Sequence, residues 1–521
     1  MKEQKTWRGF SPLFYLLLLF TAILYIWIFA NTPYSIIDDI WWGRDVGMEA
    51  FLSGSENSRY VGNLLEIIVT RSEFLKAVLH GLIATFIHFF LVLLVRTRTR
   101  SGPVLSENAD RLPEAVLLLS NILFLTVPVD VWQDIYGRIA GFSNFGLAVF
   151  FLGAFQLLLS RLVLDEVPGF SWLTGLGYFL FGVSIQLVLE NVTLYVFLVD
   201  VFFLIVMLIR KRGRAAKCRM LLMLAGNTIG LFIMFSSSIY QSLFQTGTAV
   251  GGYRELAFDL HGGLLNALRL LGERFVYFYP NRIFGNNWLM CALVSLLLFF
   301  LGGRGKRLIR VGIRMFAVFF FVYFVLVHFC GPLEEHTSLW NEMRSQWLNV
   351  LFFLGVFVSV LLLPWKGVQM RKILVFVWLS VPGIVLPLIA VKMVGPRYFF
   401  LSSLFLVEFG MFLFAESYRD WGKGSRRAAE CLVLATYLLV SGYWFKIYYD
   451  IGQGKRERDA LIRAARNGEI NRLCFEELPH SEYLYVNEVR DDDPAGIANF
   501  YEFYNIPSSV EFSNTPEGFS P

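Results

Sequence analysis

Long apolar runs recur along most of the chain, and they restrict the fold more than any other feature of the sequence. A helix that crosses the hydrocarbon layer of a bilayer needs about 20 predominantly apolar residues. Thirteen segments approach or reach that length, namely residues 11–30, 74–95, 113–132, 144–163, 169–189, 192–209, 219–238, 287–303, 312–330, 347–364, 373–391, 398–415 and 427–446. The sequence therefore predicts an α-helical polytopic membrane protein with about 13 transmembrane helices.

The composition supports a membrane location. Hydrophobic residues make up 56% of the 521 residues, aromatic residues make up 17%, and the mean hydropathy is +0.56. Soluble domains are usually less apolar than this. The first run, residues 11–30, is too long for a signal peptide and lacks a small-residue cleavage site, so we expect a retained helix.

The distribution of basic residues predicts the orientation of the chain. Cytoplasmic loops of membrane proteins are enriched in Lys and Arg. If the N-terminus is cytoplasmic, the short inner segments contain more than half of the 46 Lys and Arg residues, although the outer loops are longer. Topology then explains the net charge of +5 without nucleic acid. An odd number of spans leaves residues 447–521 on the outer side.

The long hydrophilic segments lie on the predicted outer side. We expect a transmembrane domain over residues 1–446, with long outer loops at 31–73 and 239–286, and a small extracytoplasmic C-terminal α/β domain over residues 447–521. In the second loop, apolar residues recur at helical spacing, which predicts an amphipathic helix along the membrane surface. They are Leu256, Leu260, Leu264, Leu268, Leu271 and Phe275.

Several classes of chemistry are excluded. No cytoplasmic segment is long enough for a nucleotide-binding domain, and neither of the phosphate-loop patterns, GxxxxGKS/T and GxGxxG, occurs. The five Cys residues lack CxxC spacing and predict neither a disulfide framework nor a zinc site. Glu334, Glu335 and His336 are consecutive and not spaced on one helical face, so we assign no metal to them. We expect any chemistry to face outward.

An acid pair follows the first span, in the stretch YSIIDDIWWGRD. Asp38 and Asp39 lie about eight residues past the end of that span. Adjacent carboxylates point in different directions, so one can enter a cavity while its neighbour takes a structural or metal-binding role. A carboxylate in this place suits a general base that deprotonates a sugar hydroxyl. A solvated acidic loop, or an N-cap of the segment that begins near Trp41, is the alternative.

Arg397 and Tyr398, in the stretch GPRYFF, lie at the predicted outer mouth between the eleventh and twelfth spans. A departing lipid phosphate gains negative charge, which a planar guanidinium in a site of low dielectric constant can stabilise. We therefore expect these two residues to bind a donor phosphate. An Arg that extends to the lipid headgroups is the alternative.

Other polar residues of the outer loops suit sugar recognition. Acidic, basic, amide and aromatic side chains occur together in VDVWQDIYGRIAGFSNFG and near the start of SRYVGNLLEII. The candidate substrate-binding residues are Arg59, Tyr60, Asp134, Arg138 and Asn144. A capped turn at a helix end is the alternative explanation for the first stretch.

Together these features resemble the type C glycosyltransferases, which are multi-span enzymes that use polyprenyl-phosphate sugars. The likeness rests on the acid pair in IIDDIWWG, on GPRYFF, and on SRYVGNLLEII, IAGFSNFGL and FYEFYNIP. It is closer to bacterial members that decorate envelope polysaccharides. The resemblance implies that Asp38 or Asp39 is the catalytic carboxylate and that Arg397 binds the phosphate. Some members use a divalent cation such as Mg²⁺ or Mn²⁺, but the sequence offers no ligand set beyond the acid pair and Asp134, so no cofactor is assigned.

The residues and the resemblance together predict an inverting glycosyltransferase of the plasma membrane. It would move a hexosyl or N-acetylhexosaminyl group from a polyprenyl-phosphate donor, such as an undecaprenyl-phosphate sugar, to a hydroxyl of a cell-surface polysaccharide. The first alternative is a transporter or flippase of lipid-linked sugars. Asp200 and Glu408, two acidic residues within predicted spans, would fit that function. A polysaccharide polymerase or ligase would instead depend on outer-loop Arg and His and on a diphosphate donor. A non-enzymatic scaffold would leave the acid pair replaceable.

Overall fold

The structure is a computed structural model that describes residues 9–99, 111–164, 169–248, 255–257, 263–277, 279–329, 339–365, 368–392, 394–485, 489 and 493–513. Almost all of its regular structure is helical. The helices are α1 (Pro12–Asn31), α2 (Asp38–Gly43), α3 (Asp45–Ser53), α4 (Tyr60–Thr70), α5 (Glu73–Thr99), α6 (Leu112–Leu125), α7 (Val129–Ile135), α8 (Ile139–Gly141), α9 (Leu147–Leu164), α10 (Trp172–Gln186), α11 (Glu190–Ile209), α12 (Arg214–Phe235), α13 (Ser238–Thr246), α14 (Leu264–Tyr277), α15 (Trp288–Leu301), α16 (Arg307–Phe329), α17 (Leu339–Leu362), α18 (Val368–Gly383), α19 (Phe400–Asp420), α20 (Lys423–Arg466) and α21 (Pro494–Tyr504).

The multi-span helical character predicted from the sequence is confirmed. Within the described residues, nine helices are long and apolar enough to cross a membrane, and the number rises to eleven if each of two bent helix pairs forms one span. The other two predicted spans fall on α10, which has 15 residues, and on the apolar part of α17, Gln346–Leu362. Both are shorter than the roughly 20 residues of a straight crossing.

The bend in the third predicted span has a simple cause. Helix α6 ends at Leu125, and α7 begins at Val129 and runs at 95° to it. Pro128 lies at the break with an extended ψ of 148°. Proline has no N–H to donate and disfavours a helical conformation in the residue before it, so a helix cannot continue through this position. The chain leaves the bundle axis here and runs across one end of the bundle.

The centre of the bundle is α19. Every residue from Phe400 to Tyr418 is buried, and the helix packs against α6, α15 and α18. Apolar side chains of these helices cover most of α19. The residues just before α19, Pro396–Phe399, form one tight helical turn that holds Arg397 at the end of the bundle.

The two long loops contain short helices, as the sequence predicts for the second loop. Helices α2, α3 and α4 occupy the first, and α13 and α14 occupy the second. Helix α14 exposes Leu265, Leu268 and Phe275, which is typical of a helix on a membrane surface. The helical repeat predicted from Leu256 onward starts before the helix does, because α14 begins at Leu264. Leu256 precedes the helix and pairs through its backbone with Val391, whereas Leu260 lies outside the described residues.

The predicted domain boundary at residue 446 falls within a continuous helix. Helix α20 runs for 44 residues without a break, from the last predicted span into the tail. Beyond it, β1 (Arg472–Leu473) and β2 (Glu511–Phe512) form a two-residue parallel pair beside α21. The tail therefore contains both helix and strand, and the continuous helix α20 joins it to the bundle.

The tail packs on the first loop and on α7. Gln133 donates from Nε2 to the Leu484 carbonyl at 2.7 Å, and the Tyr485 N–H donates to the Gly137 carbonyl at 3.2 Å. Arg44, which follows α2, pairs with Glu502 on α21. These contacts place the tail beside the acid pair.

Candidate functional site

A cavity of about 300 Å³ lies at the end of the bundle where α2, α4 and the turn before α19 meet. Five residues that the sequence singles out contribute to its wall, and they come from four separate stretches of the chain. They are Asp38, Arg59, Arg138, Asn144 and Arg397. We call this space the Asp38 cavity.

Two further features of the wall suit a polar ring such as a sugar. Trp41 and Trp42 both contribute to it, with their ring planes perpendicular and their centroids 4.8 Å apart. Asn144 belongs to a π-helical segment, residues 142–146, that joins α8 to α9. Such wide turns are frequent at functional sites because they push a side chain out of the regular helical register.

Asp38 forms an ion pair with Arg138 in the cavity wall. The carboxylate is partly exposed, whereas the guanidinium is largely buried and also lies over the ring of Tyr485, 4.3 Å from its centroid. An adjacent guanidinium favours the ionised form of a carboxyl group. Asp38 is therefore held as a carboxylate that is still accessible from the cavity.

Asp39 takes a different position. It is fully buried, and its carboxylate accepts backbone hydrogen bonds from Ser35 at 2.7 Å, Ile139 at 3.2 Å and Ala140 at 2.7 Å. Burial raises the pKa of Asp39 to about 6, against the lowering effect of the three N–H donors. Asp39 is absent from the cavity wall and fastens the first loop to the start of α8.

Glu66 on α4 is a wall residue that the sequence reasoning missed. Its side chain is fully buried, Asn144 Nδ2 lies 3.5 Å from Oε2, and Oε1 has no hydrogen-bond partner among the described residues. Burial and the charge of Asp39 raise the pKa of Glu66 well above its ordinary value, whereas Arg59 opposes this shift. The available signal was the spacing of Arg59, Asn63 and Glu66, which places three polar groups on one face of an apolar helix.

Arg59 is fixed by a carboxylate outside the cavity. Its guanidinium donates two hydrogen bonds from Nη2 to Glu190, at 2.7 and 3.0 Å, and the Tyr240 hydroxyl donates to the same carboxylate. Tyr60, its neighbour, does not contribute to the cavity wall. The Tyr60 ring instead packs edge-on against Phe51, 5.8 Å between centroids.

The guanidinium of Arg397 lies near two aromatic rings. Its guanidinium lies 5.8 Å from the Phe145 ring centroid and 5.7 Å from that of Tyr398, and its Nε makes no hydrogen bond to any described residue. Tyr398 is buried edge-on against Phe145 and does not line the cavity.

Asp134 also lies behind the cavity wall. It accepts a backbone hydrogen bond from Arg397 and interacts electrostatically with its charge. Asp134 therefore positions the turn that carries Arg397 instead of contacting the cavity itself. Of the three arginines in the wall, Arg138 and Arg59 have ion-pair partners within 4 Å, whereas Arg397 has none among the described residues.

The described part of the chain contains no group of three or more His, Cys, Asp or Glu side chains arranged to hold a metal ion. Glu334, Glu335 and His336 lie outside the described residues. The chemistry that the described residues support is acid–base and electrostatic, with carboxylates and guanidinium groups facing one cavity.

No known protein-family model, curated protein or solved structure matches the chain. The geometry of the site therefore has to support any functional assignment by itself.

Proposed function

We propose that the chain is an inverting glycosyltransferase that moves a sugar from a polyprenyl-phosphate donor to a hydroxyl of a cell-surface glycan. One observation carries the proposal: a carboxylate, Asp38, and an arginine, Arg397, that forms no ion pair within 4 Å with any described residue face the same small cavity at the end of a membrane-spanning bundle. A base for the acceptor and a cation for the leaving phosphate are the two groups that this transfer needs.

The transfer proceeds by displacement at the anomeric carbon. The acceptor oxygen forms a bond to that carbon from one face, while the bond to the phosphate oxygen breaks on the opposite face. The acceptor proton passes to Asp38. The polyprenyl phosphate leaves with one more negative charge than the phosphodiester carried, and it needs no proton because phosphate is a good leaving group.

The Asp38–Arg138 ion pair couples these two events electrostatically. When Asp38 accepts the proton it becomes neutral, and Arg138 loses the charge that balanced it. At the same stage the leaving phosphate gains a charge. Arg138 and Arg397 then both stabilise the phosphate, and the partly buried wall strengthens this interaction relative to bulk water.

In its protonated, neutral form Glu66 binds the sugar. A carboxyl group whose pKa is raised by burial retains its proton and can donate a hydrogen bond. Glu66 and Asp38 therefore take opposite protonation states in one cavity. In this proposal Glu66 binds a hydroxyl of the donor sugar, while the two tryptophans contact the apolar face of its ring.

We also propose an orientation with the N-terminus cytoplasmic and the tail outside the plasma membrane. The excess of Lys and Arg in the segments opposite the Asp38 cavity supports it. With α10 and α17 counted as short crossings and each bent pair as one, the chain passes the membrane thirteen times. The acceptor glycan then approaches from the aqueous side, next to the tail.

The test is the sugar composition and linkage of the surface polysaccharide. A deletion strain is complemented with wild type, Asp38→Asn or Asp45→Asn, with protein levels matched. Asp45 is the control because it is exposed on α3 and absent from the cavity wall. We expect one sugar substituent to disappear in the deletion and in Asp38→Asn, and to return with Asp45→Asn. A normal glycan in Asp38→Asn would favour transport or scaffolding.

A further inference from the structure

A second cavity of about 460 Å³ lies between α9, α11, α18 and α19. It is far along these helices from the Asp38 cavity. Helix α11 begins at Glu190, which binds Arg59 of the Asp38 cavity, and the second cavity contacts its other end, from Phe202 to Arg210. The two cavities therefore open near opposite faces of the bundle, and we call the second one the Gln156 cavity.

Most of the wall of the Gln156 cavity is apolar. Leu94, Leu159 and Val163 line one part of it, and Phe202 and Leu379 line another. Phe202 and Leu379 are about half exposed, so the cavity extends to the lipid-facing surface of the bundle. Walls of this kind suit a hydrocarbon chain.

One end of the cavity is basic. Arg210 follows α11, and Arg371 and Lys372 belong to the first turns of α18. All three are exposed. A single acidic residue, the buried Glu408, also contributes to the wall. The charge of the lining is therefore positive overall and concentrated where the cavity reaches the end of the bundle. Basic pockets between transmembrane helices are typical binding places for anionic lipid headgroups.

Gln156 gives an independent indication of a ligand. Its side chain lines the cavity and is only 7% exposed, yet neither Oε1 nor Nε2 has a hydrogen-bond partner among the described residues. Leaving a buried amide without partners is costly, so such groups normally bind something. In a cavity with apolar walls and a basic end, the polar linkage between a headgroup and its acyl chains supplies that partner.

We propose that the Gln156 cavity holds one anionic phospholipid of the adjoining leaflet, with its phosphate at Arg210, Arg371 and Lys372 and an acyl chain among the apolar residues. Gln156 binds the ester linkage. The site is independent of the proposed transferase reaction, because its basic end is at the opposite face of the bundle from Asp38. The lipid fills a gap beside the central helix α19.

Native mass spectrometry of the full chain tests the proposal. The protein is purified with an equimolar mixture of phosphatidylglycerol and phosphatidylcholine, and the retained lipid is counted. We expect one phosphatidylglycerol on the wild type. The double variant Arg371→Gln, Lys372→Gln should bind it roughly tenfold more weakly, because each basic group near a headgroup contributes substantially to binding. The matched control is Lys306→Gln, Arg307→Gln, which removes two exposed cations at the start of α16, outside the cavity.

Further variants and lipids separate the outcomes. Gln156→Leu removes the unpaired amide without a large change in volume, and we expect it to weaken phosphatidylglycerol retention while the protein stays folded by size-exclusion chromatography. Equal retention in the α18 and α16 double variants would overturn the proposal, as would equal retention of phosphatidylcholine. If undecaprenyl phosphate displaces phosphatidylglycerol at equal concentration, the site belongs to the carrier lipid and the assignment to a phospholipid is wrong.

Discussion

Asp38 and Asp39 are neighbours in the chain, yet their carboxylates end in different surroundings. Asp38 reaches the cavity and pairs with Arg138, whereas Asp39 turns into the protein and accepts three backbone hydrogen bonds. One residue is accessible to a substrate, and the other holds the loop that carries it. Their substitutions should therefore have separable effects.

Asp39→Asn should lower stability, and Asp38→Asn should lower activity. An Asn amide presents an NH₂ group to at least one of the backbone N–H groups that now bind Asp39, and a buried donor left unpaired costs about 1–3 kcal/mol. Asp38→Asn keeps its shape at a partly exposed position but removes the charge partner of Arg138, so we expect a smaller loss of stability than for Asp39→Asn. The measurement is the midpoint of thermal unfolding in detergent beside transfer activity. A wild-type midpoint for Asp39→Asn together with lost transfer would reverse the two roles.

The stability of the protein should depend on the protonation of Asp39. The pKa of Asp39 is about 6 in the folded chain and 3.8 ordinarily, so the folded state binds the proton more tightly between these values. Stability from this group is therefore fully present below about pH 4 and is lost as the pH rises through 6. The difference in unfolding midpoint between wild type and Asp39→Asn, which cannot titrate there, should fall over this range and stay constant above it. A difference that is flat from pH 4 to 8 would contradict the assignment.

Glu66→Gln should preserve transfer and change its pH dependence. If Glu66 acts as a neutral hydrogen-bond donor, wild-type activity falls as the pH rises through its raised pKa, because the proton is lost. Gln remains a neutral donor at every pH, so this fall should disappear. Glu66→Leu, which cannot donate, should be poorly active throughout. Inactivity of Glu66→Gln at all pH values would instead indicate that the carboxylate form is required.

Arg397→Gln should reduce turnover more than it weakens donor binding. The charge on the phosphate grows as the sugar leaves, so the loss of a stabilising donor there acts mainly on the rate, and we expect kcat to fall roughly 100-fold. Arg397→Lys should recover part of the rate, since Lys keeps the charge but not the planar fork. Arg269→Gln is the control, because Arg269 is exposed on α14 and absent from the cavity wall. An unchanged kcat with a raised KM would assign Arg397 to donor binding alone.

Gly137→Ala should detach the tail. A Cβ atom at this position would lie 2.1 Å from the backbone carbonyl oxygen of Tyr483, so the backbone of one segment has to move. We expect faster proteolysis after α20 and a reduced transfer rate. Gly177→Ala on α10, where a Cβ meets no atom within 4 Å, is the matched control. Equal proteolysis of the two variants would show that the tail tolerates this displacement.

The helical membrane fold could be predicted because hydropathy is a local property of the sequence. Mean hydropathy does not, however, report the length of a helix or a bend within it. Helix α10 is shorter than its apolar run, and the third predicted span bends at Pro128 because a bend does not change the mean hydropathy. Leu256 fitted the helical period of its loop but pairs through its backbone with Val391, a contact distant in the chain.

The candidate site was only partly accessible to sequence reasoning. Polar residues within apolar stretches of the outer loops are candidates for a site. This criterion identified Asp38, Arg138 and Arg397. It could not tell which side chains point inward, so it also selected Tyr60 and Tyr398, which are absent from the cavity wall. Glu66 was missed because it lies within an apolar helix, and the spacing that it shares with Arg59 and Asn63 does not show what packs against that face.

The length of α20 has a mechanical consequence. At 1.5 Å per residue, 44 residues extend about 66 Å, roughly twice the thickness of the hydrocarbon layer. Helix α20 is bonded to the rest of the protein where it leaves the bundle. Lys455 Nζ donates a hydrogen bond to Glu73 at 2.6 Å, and the hydroxyls of Tyr443 and Tyr483 form a hydrogen bond at 2.6 Å. Because α20 and the tail are both bonded to the bundle, the same long helix that crosses the membrane also keeps Tyr485 against Arg138 at the Asp38 cavity.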